Sequence, residues 1–298
     1  MNLNYNNILR ILLIGLGSIG QRHLRLLKEH FSYEIFAKRH EKPEKKEDFG
    51  IKNLFSWKEV DKYQFDVAFI CNPTYLHIET AIECAKRGMH LFIEKPIDCK
   101  LDRLDELLKI VDKKKLTSYV AYPLRCNNVF QILTNNLVTN AEFTCITDIR
   151  QWGKEYSWKI ESGGGVLLEL SHEIDLAQYL LGEIIKIEGK LKYDKEYKID
   201  SEANLIITHI RKKKSHIYLH LLSEDHDTWA RFLTLNYHNS FHQTIKYGVD
   251  DHIYLRQLQY FFDNLNNPQM MNNLFEASEL FKKIIEFRDD NPINNLCP

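Results

Sequence analysis

Ile11-Leu12-Leu13-Ile14-Gly15-Leu16-Gly17-Ser18-Ile19-Gly20 sets four apolar residues directly against a G-x-G-x-x-G turn. From Ser18 to about His30 the apolar spacing predicts a helix that opens inside this turn. Strand, glycine turn and helix in that order have a specific use. Gly15 permits the tight turn, Gly17 lets backbone N–H groups approach a pyrophosphate, and Gly20 lets the helix pack close to the strand. The helix opening at Ser18 and Ile19 adds amide donors and a positive dipole end for the phosphates. A lone G-x-G-x-x-G is a weak signal that a plain glycine-rich turn also satisfies. Its placement between this strand and this helix is what makes it informative.

Further strands are predicted over Tyr33–Ala37, Asp66–Cys71, His90–Ile93 and Leu116–Ala121, with helices over Leu76–Arg87 and Leu101–Lys114. Strands alternating with helices imply right-handed βαβ units and a parallel sheet covered on both faces. After Tyr122-Pro123 the pattern changes. One long helix is predicted from about Gly165 to Leu181. It is followed by strand-like runs at Ile184–Lys192, Ala203–Ile210, His216–Leu222 and Arg231–Tyr237, then helices over about Asp251–Asn264 and Leu274–Arg288. Strands separated by polar turns suit a mostly antiparallel sheet. The expected class is α/β: a Rossmann-type, doubly wound parallel sheet over residues 1–122, then an α+β domain over 123–298. No linker rich in Gly, Pro or Ser marks the boundary, so packed domains with a cleft between them are expected.

Bulk properties narrow the function. The chain has 298 residues, 40 Lys+Arg against 41 Asp+Glu, and a formal net charge of -1. A nucleic-acid binder carries a basic surplus, and none exists here. The run Arg211-Lys212-Lys213-Lys214 falls between two strand-like stretches and reads as a solvated hairpin turn. Cysteines 71, 84, 99, 126, 145 and 297 include no CxxC pair, which suits reduced thiols better than a disulfide framework or a zinc site. The histidines form no HExxH helix, so no protein-bound metal is expected. The apolar run Ile8–Ile14 is interrupted by Arg10, lacks a basic leader and runs into glycines, unlike a secretory signal. No stretch approaches the ~20 apolar residues of a membrane helix. A cytoplasmic protein without membrane partners is the expectation.

The second strand bears on the choice of dinucleotide. NAD-selective turns carry an acid about twenty residues on, for the ribose 2′-hydroxyl. Here that strand ends in Ala37-Lys38-Arg39-His40, with cations where the carboxylate would stand. A 2′-phosphate suits Lys38 and Arg39, so NADP is preferred over NAD. The bland reading is that they open a mixed-charge loop over residues 38–48.

Two further motifs carry chemistry. Cys71-Asn72-Pro73-Thr74, followed by His77, and Glu94-Lys95-Pro96 both lie at carboxyl ends of predicted parallel strands, the edge where open α/β sheets bind ligands. Proline restricts the residue before it, so Lys95 is held extended. Asn72, Pro73, Thr74, His77, Glu94 and Lys95 are therefore assigned to the cofactor side. The second motif is Ser162-Gly163-Gly164-Gly165-Val166-Leu167-Leu168-Glu169-Leu170-Ser171-His172-Glu173-Ile174-Asp175. Its glycines let backbone and ligand come close, and residues three or four apart share a helical face, which would turn Glu169, His172 and Asp175 toward one cleft. A lone histidine on an apolar helix is ordinarily a satisfied core residue. Flanking carboxylates at i−3 and i+3 argue for function here.

This set of motifs, G-x-G-x-x-G, Glu-Lys-Pro and Gly-Gly-Gly…Glu-x-x-His-x-x-Asp, resembles the glucose–fructose oxidoreductase / inositol dehydrogenase / MocA family over essentially the whole chain. The resemblance implies a Rossmann domain followed by an open-faced, mostly antiparallel sheet that often builds a homo-oligomer interface. It implies that Lys95 touches substrate and nicotinamide, that His172 is the acid/base, and that Glu169 and Asp175 stand nearby. Tyr122, Arg125 and Asp175 are assigned to substrate binding. The wording Leu167–Asp175 is similar to members found with surface-polysaccharide and nonulosonic-acid biosynthesis. Three departures are visible, one being that the stretch Ile146–Ser162, which would line the sugar pocket, reads as short and irregular. Many relatives place Asp four residues before the histidine, whereas Glu169 stands three before it. Tyr122-Pro123-Leu124-Arg125 is followed by Cys126-Asn127-Asn128, not by the usual aromatic and proline.

The activity expected from these residues is hydride transfer between nicotinamide and a carbinol carbon of a sugar, nucleotide sugar or polyol. His172 moves the hydroxyl proton because imidazole titrates nearest neutral pH, and Lys95 stabilises alkoxide charge. Two other classes stay open: a non-catalytic nucleotide-binding sensor, and redox-neutral epimerisation or glycoside cleavage with retained cofactor.

Overall fold

Six strands, β1 (Arg10–Ile14), β2 (Glu34–Lys38), β3 (Lys52–Leu54), β4 (Val67–Ile70), β5 (His90–Glu94) and β6 (Ser118–Ala121), form one sheet in the order β3-β2-β1-β4-β5-β6. Every pairing in it is parallel. In this computed structural model the described residues are 8–40, 49–133, 138–152, 163–225, 229–237 and 241–292. Unbroken apolar runs such as Ile11–Ile14 and Val67–Ile70 are buried throughout, as strands covered on both faces must be. Helices α1 (Ser18–His30), α2 (Trp57–Val60), α3 (His77–Lys86) and α4 (Leu104–Lys114) link these strands. The strand order reverses between β1 and β4, which sets a ligand crevice at the carboxyl ends of those strands.

The second sheet contains β7 (Val138–Ile146), β8 (Ile184–Asp194), β9 (Ile199–His209), β10 (Lys214–His220), β11 (Ala230–Tyr237) and β12 (His242–Lys246), in the order β12-β11-β7-β10-β9-β8. Its pairings are antiparallel except β7 with β10. Along β9 burial alternates: Ala203, Leu205 and Ile207 point inward, while Ile206 is exposed. One covered face and one open face produce that period of two. After α5 (Asn128–Leu133), α6 (Val166–Glu169) packs on β9, and α7 (Ser171–Leu181) packs on β7 and β10. Helices α8 (Asp251–Asp263) and α9 (Leu274–Asp290) follow the sheet.

The chain divides into two compact units. One comprises Met1–Asp98, Asp102–Ala121 and Leu258–Glu276; the other comprises Cys99–Leu101, Tyr122–Gln257 and Ala277–Pro298. Within the first unit, Phe261 packs edge-on against Phe92 at 5.3 Å between centroids. Asn272 accepts from Val120 N–H at 3.0 Å and donates to Val120 O at 2.6 Å, which satisfies backbone groups on the edge strand β6.

The parallel and mixed sheets match the expected class, and several elements differ in detail. The long helix over 165–181 is two helices, broken at Leu170 (φ -103, ψ 26). The helix expected from Leu101 starts at Leu104, because Arg103 takes a left-handed conformation (φ 60). Strands β3, β7 and β12 were not anticipated. In β7 the inward positions include the small Ala141 and Cys145, and β12 is almost wholly exposed, so neither shows a clear apolar alternation. The basic run at 211–214 spans the β9–β10 hairpin turn, with Arg211 at φ 58 and Lys212 at φ 59. Among the described residues, no helix is long and apolar enough to cross a membrane. Five of the six cysteines are described and are buried thiols; Cys297 lies outside the described residues, as does Ser162.

Candidate active site

The three glycines of the first turn separate by what a side chain would meet. At Gly15 (φ 92) a Cβ would fall 2.5 Å from Asn72 N and from Cys71 O. At Gly20 it would fall 2.0 Å from Gly15 O. Both are demanded by the close approach of β1, β4 and α1. At Gly17, among the described residues, a Cβ would meet nothing within 4 Å beyond its own chain neighbours, and φ -70, ψ -173 is backbone that any residue adopts. Gly17 is also the N-cap of α1, where no side chain accepts from the first amides. The described residues do not require glycine there, and the absence of a side chain leaves the helix opening at Ser18 and Ile19, neither of them buried, without a side-chain cap. That cradle fits a dinucleotide pyrophosphate.

At the end of β2, the Lys38 ammonium stands 4.8 Å from the Trp57 ring centroid, and burial lowers its pKa. Arg39 stands 5.7 Å from the Phe49 centroid. Cation–π contact of this kind contributes about 0.5–1 kcal/mol at partly exposed sites and orients both groups. At the end of β4, Asn72 Nδ2 donates to Thr80 Oγ1 at 2.9 Å, Pro73 opens a 3₁₀ turn, and Thr74 is buried. His77 is buried, with Nδ1 2.9 Å from Pro96 O and Nε2 2.7 Å from Asn72 O.

At the end of β5, Lys95 is the one residue of 91–99 that is not buried. The Lys95–Pro96 peptide is cis. The Glu94 carboxylate turns inward to His23 on α1, with Oε1 2.6 Å from Nε2. His23 was not singled out from sequence, although it shares the buried face of α1 with Gly20, Leu24 and Leu27.

In the second unit, the glycine-rich entry to α6 is closed by an acid from another element. Asp200, on β9, accepts from Leu167 N–H at 3.0 Å beneath the start of α6. Burial pushes its carboxyl up to about 6, against the pull of these backbone amides. From Gly163 to Ala177 every residue is buried except Glu169 and His172. Because of the break at Leu170, Glu169 ends α6 while His172 belongs to the first turn of α7.

The inward residues hold that turn in place. Tyr122 meets the His172 ring edge-on, at 5.8 Å and 90°. Its hydroxyl donates to Ser171 Oγ at 3.4 Å, and Ser171 donates to Leu168 O at 2.9 Å. Burial raises the Tyr122 phenol well above its ordinary range. Arg125 forms a two-pronged pair with Asp175, Nε to Oδ2 at 2.9 Å and Nη2 to Oδ1 at 2.7 Å, with both residues buried. Asp175 therefore faces Arg125 and not the surface that Glu169 and His172 reach. Glu173 bonds Arg231 Nε at 2.8 Å and accepts from the Tyr247 hydroxyl at 3.3 Å. No local motif points to Asp200, Arg231 or Tyr247; they meet these helices only through the sheet.

Residues 9–122 match the GFO_IDH_MocA family model, described as an oxidoreductase family with an NAD-binding Rossmann fold. That match takes in less than half of the chain, and over those residues the chain is similar to the family. Among curated relatives, the myo-inositol 2-dehydrogenase of Thermotoga maritima is 25% identical over 219 residues, covering 69% of this chain and 65% of that protein. The 2,7-anhydro-N-acetylneuraminate hydratase of Escherichia coli is 32% identical over 127 residues, 40% of this chain and 34% of that one. The chain thus spans less than two thirds of the length of either relative. The WlbA dehydrogenase from Bordetella pertussis, solved with NADH and UDP-GlcNAcA, has a TM-score of 0.79 at 16% identity, covering 96% of each chain. The scyllo-inositol dehydrogenase from Lactobacillus casei, solved with NAD(H) and scyllo-inositol, has a TM-score of 0.80 at 14% identity, covering 95% of this chain and 98% of that one. At these identities the likeness of this chain to both structures is one of fold.

Proposed function

We propose that this chain is an NAD(P)-dependent oxidoreductase acting on a carbinol of a sugar, nucleotide sugar or polyol. The observation that carries the reading is Gly17: the described residues leave room there for a side chain, yet glycine stands at an uncapped helix opening. Gly15, Gly17, Ser18, Ile19 and Gly20 would hold the pyrophosphate. Lys38 and Arg39 would face the ribose, which favours NADP over NAD. Asn72, Pro73 and Thr74 would border the dinucleotide at the end of β4. When bound, the nicotinamide supplies the hydride acceptor or donor.

Lys95 is assigned to the carbinol oxygen, where an ammonium stabilises developing alkoxide charge. His172 is assigned to the hydroxyl proton, taking it in oxidation and returning it in reduction. Glu169, the other surface-reaching residue of its run, is assigned to the proton path beyond His172. Tyr122, Arg125 and Asp175, expected from the sequence to touch substrate, are better supported as residues that fix the first turn of α7, because each is buried and bonded within the protein. The relatives named for inositol and for an anhydro-neuraminate support a polyol or acidic-sugar substrate. A setting in surface-polysaccharide or nonulosonic-acid biosynthesis belongs to this proposal, as do a cytoplasmic location and a homo-oligomer formed through the open face of the second sheet. A second reading, redox-neutral chemistry with retained cofactor, is supported by the relative named as a hydratase.

The test is titration of the purified chain with NADPH and NADH, then a screen of free and nucleotide-linked sugars followed at the nicotinamide absorbance band. A sugar-dependent change establishes the dehydrogenase. Product formation with no net change in nicotinamide establishes the redox-neutral reading.

A further inference from the structure

The two residues flanking Lys95 are each tied to a buried histidine. Before it, Glu94 is only 8% exposed, and a buried carboxylate needs a partner. Its Oε1 lies 2.6 Å from Nε2 of His23, which is fully buried with Phe92 at 5.2 Å and Phe69 at 5.8 Å between ring centroids. After it, Pro96 O lies 2.9 Å from Nδ1 of His77, whose Nε2 lies 2.7 Å from Asn72 O. Both partners of His77 are carbonyl oxygens. A neutral ring donates to one of them, and a protonated ring donates to both. Asp98 Oδ2 accepts from Ile78 N–H at 3.1 Å, a further tie between the start of α3 and the segment that carries Lys95.

We propose that His23 and His77 are positioning residues that bracket Lys95, one through the Glu94 side chain and the other through the Pro96 main chain. Neither histidine touches the reacting atoms. This departs from the sequence-based expectation that Glu94 and His77 contact cofactor, since the polar groups of both are directed to protein partners. A lysine stem carries much rotamer freedom, so an aimed ammonium needs its own backbone held. The bracket supplies that from two directions. His23 belongs to the helix that starts at the glycine turn, and His77 starts the helix that follows the Asn72-Pro73-Thr74 turn. Those two turns close β1 and β4 at the point where strand order reverses. Occupancy of either turn is thereby linked to the position of the Lys95 amine. The role of that amine rests on the proposed oxidoreductase reading; the bracket itself does not.

The experiment uses the full-length chain with its lysines dimethylated by ¹³C-formaldehyde, and the Lys95 NMR signal is assigned by its loss in Lys95→Arg. His23→Leu and His77→Phe each remove one arm. His23→Gln and His77→Gln keep a donor at similar volume and serve wherever the first pair does not fold. Val111→Ala, a core truncation on α4, controls for general destabilisation. The bracket predicts that removing either arm moves the Lys95 signal toward those of exposed lysines. It also predicts that both glutamine variants return part of the shift and that Val111→Ala leaves the signal in place. An unmoved Lys95 signal in the histidine variants, or an equal shift in Val111→Ala, would overturn it. The readout needs neither cofactor nor substrate. If the wild type binds neither NADH nor NADPH, the oxidoreductase reading fails while this signal still decides the bracket.

Discussion

The carboxylate of Asp200 occupies the space that a side chain at Gly165 would need: a Cβ there would lie 2.2 Å from Oδ1. Gly165 also adopts φ 110, ψ 158, a region open essentially to glycine alone. The glycine at the head of α6 is thus explained by an acid that the fold brings to it. Gly165→Ala should destabilise the protein by roughly 1–3 kcal/mol from backbone strain, with displacement of Asp200 adding to that. A lower urea midpoint with an unchanged slope would show it.

Asp200 gives stability a definite pH dependence. Its carboxyl ordinarily titrates at 3.8, and burial raises it to about 6 in the folded chain. Between those values the folded state holds more protons than the unfolded state, so this group's contribution falls as pH rises from about 4 to about 6. At about 1.4 kcal/mol per pKa unit the whole change is on the order of 3 kcal/mol. Asp200→Asn keeps an acceptor for Leu167 N–H and should flatten the slope. His209 works in the opposite sense: burial lowers its pKa from 6.5 to about 4, so its contribution is lost as pH falls through that window. Urea titrations of the wild type and Asp200→Asn across this range separate the two slopes.

The Arg125–Asp175 pair should be costly to break from one side. Removing one partner of a buried pair leaves an uncompensated charge, typically 3–5 kcal/mol, whereas replacing both by apolar residues of similar volume is often near neutral. Arg125→Met and Asp175→Leu should each lower the unfolding free energy by that amount. The double variant should recover most of the loss, and a double-mutant cycle measures how much.

Lys95→Ala and His172→Ala should each lower turnover by roughly 10²–10⁴-fold while dinucleotide affinity stays near wild type. Steady-state rates on the sugar found by screening, beside a fluorescence titration with NADPH, make this check. Near-normal turnover in both variants would remove these residues from the chemistry.

The first unit was legible because its signals are local. Ile11–Ile14 and the adjoining glycines announce a buried strand and a tight turn within ten residues, and Lys95 follows β5 directly. The second unit was less so. Leu170 breaks the helix without proline or glycine, and β7 hides its inward face behind Ala141 and Cys145. Pairings across long sequence distances left no trace in any window. Glu94 meets His23 across 71 residues, and Leu167 meets Asp200 across 33. Those partners explain why Glu94 faces inward and why Gly165 lacks a side chain.

Gly17 offers the most direct measurement. Isothermal titration of the wild type and Gly17→Val with NADPH and NADH compares a site with one whose cradle is filled, at a position where the protein itself has room. Saturable binding to the wild type is expected, tighter for NADPH, with a loss of affinity in Gly17→Val and no drop in melting temperature. Absence of binding by both dinucleotides to the folded wild type, or equal binding to both proteins, would contradict it.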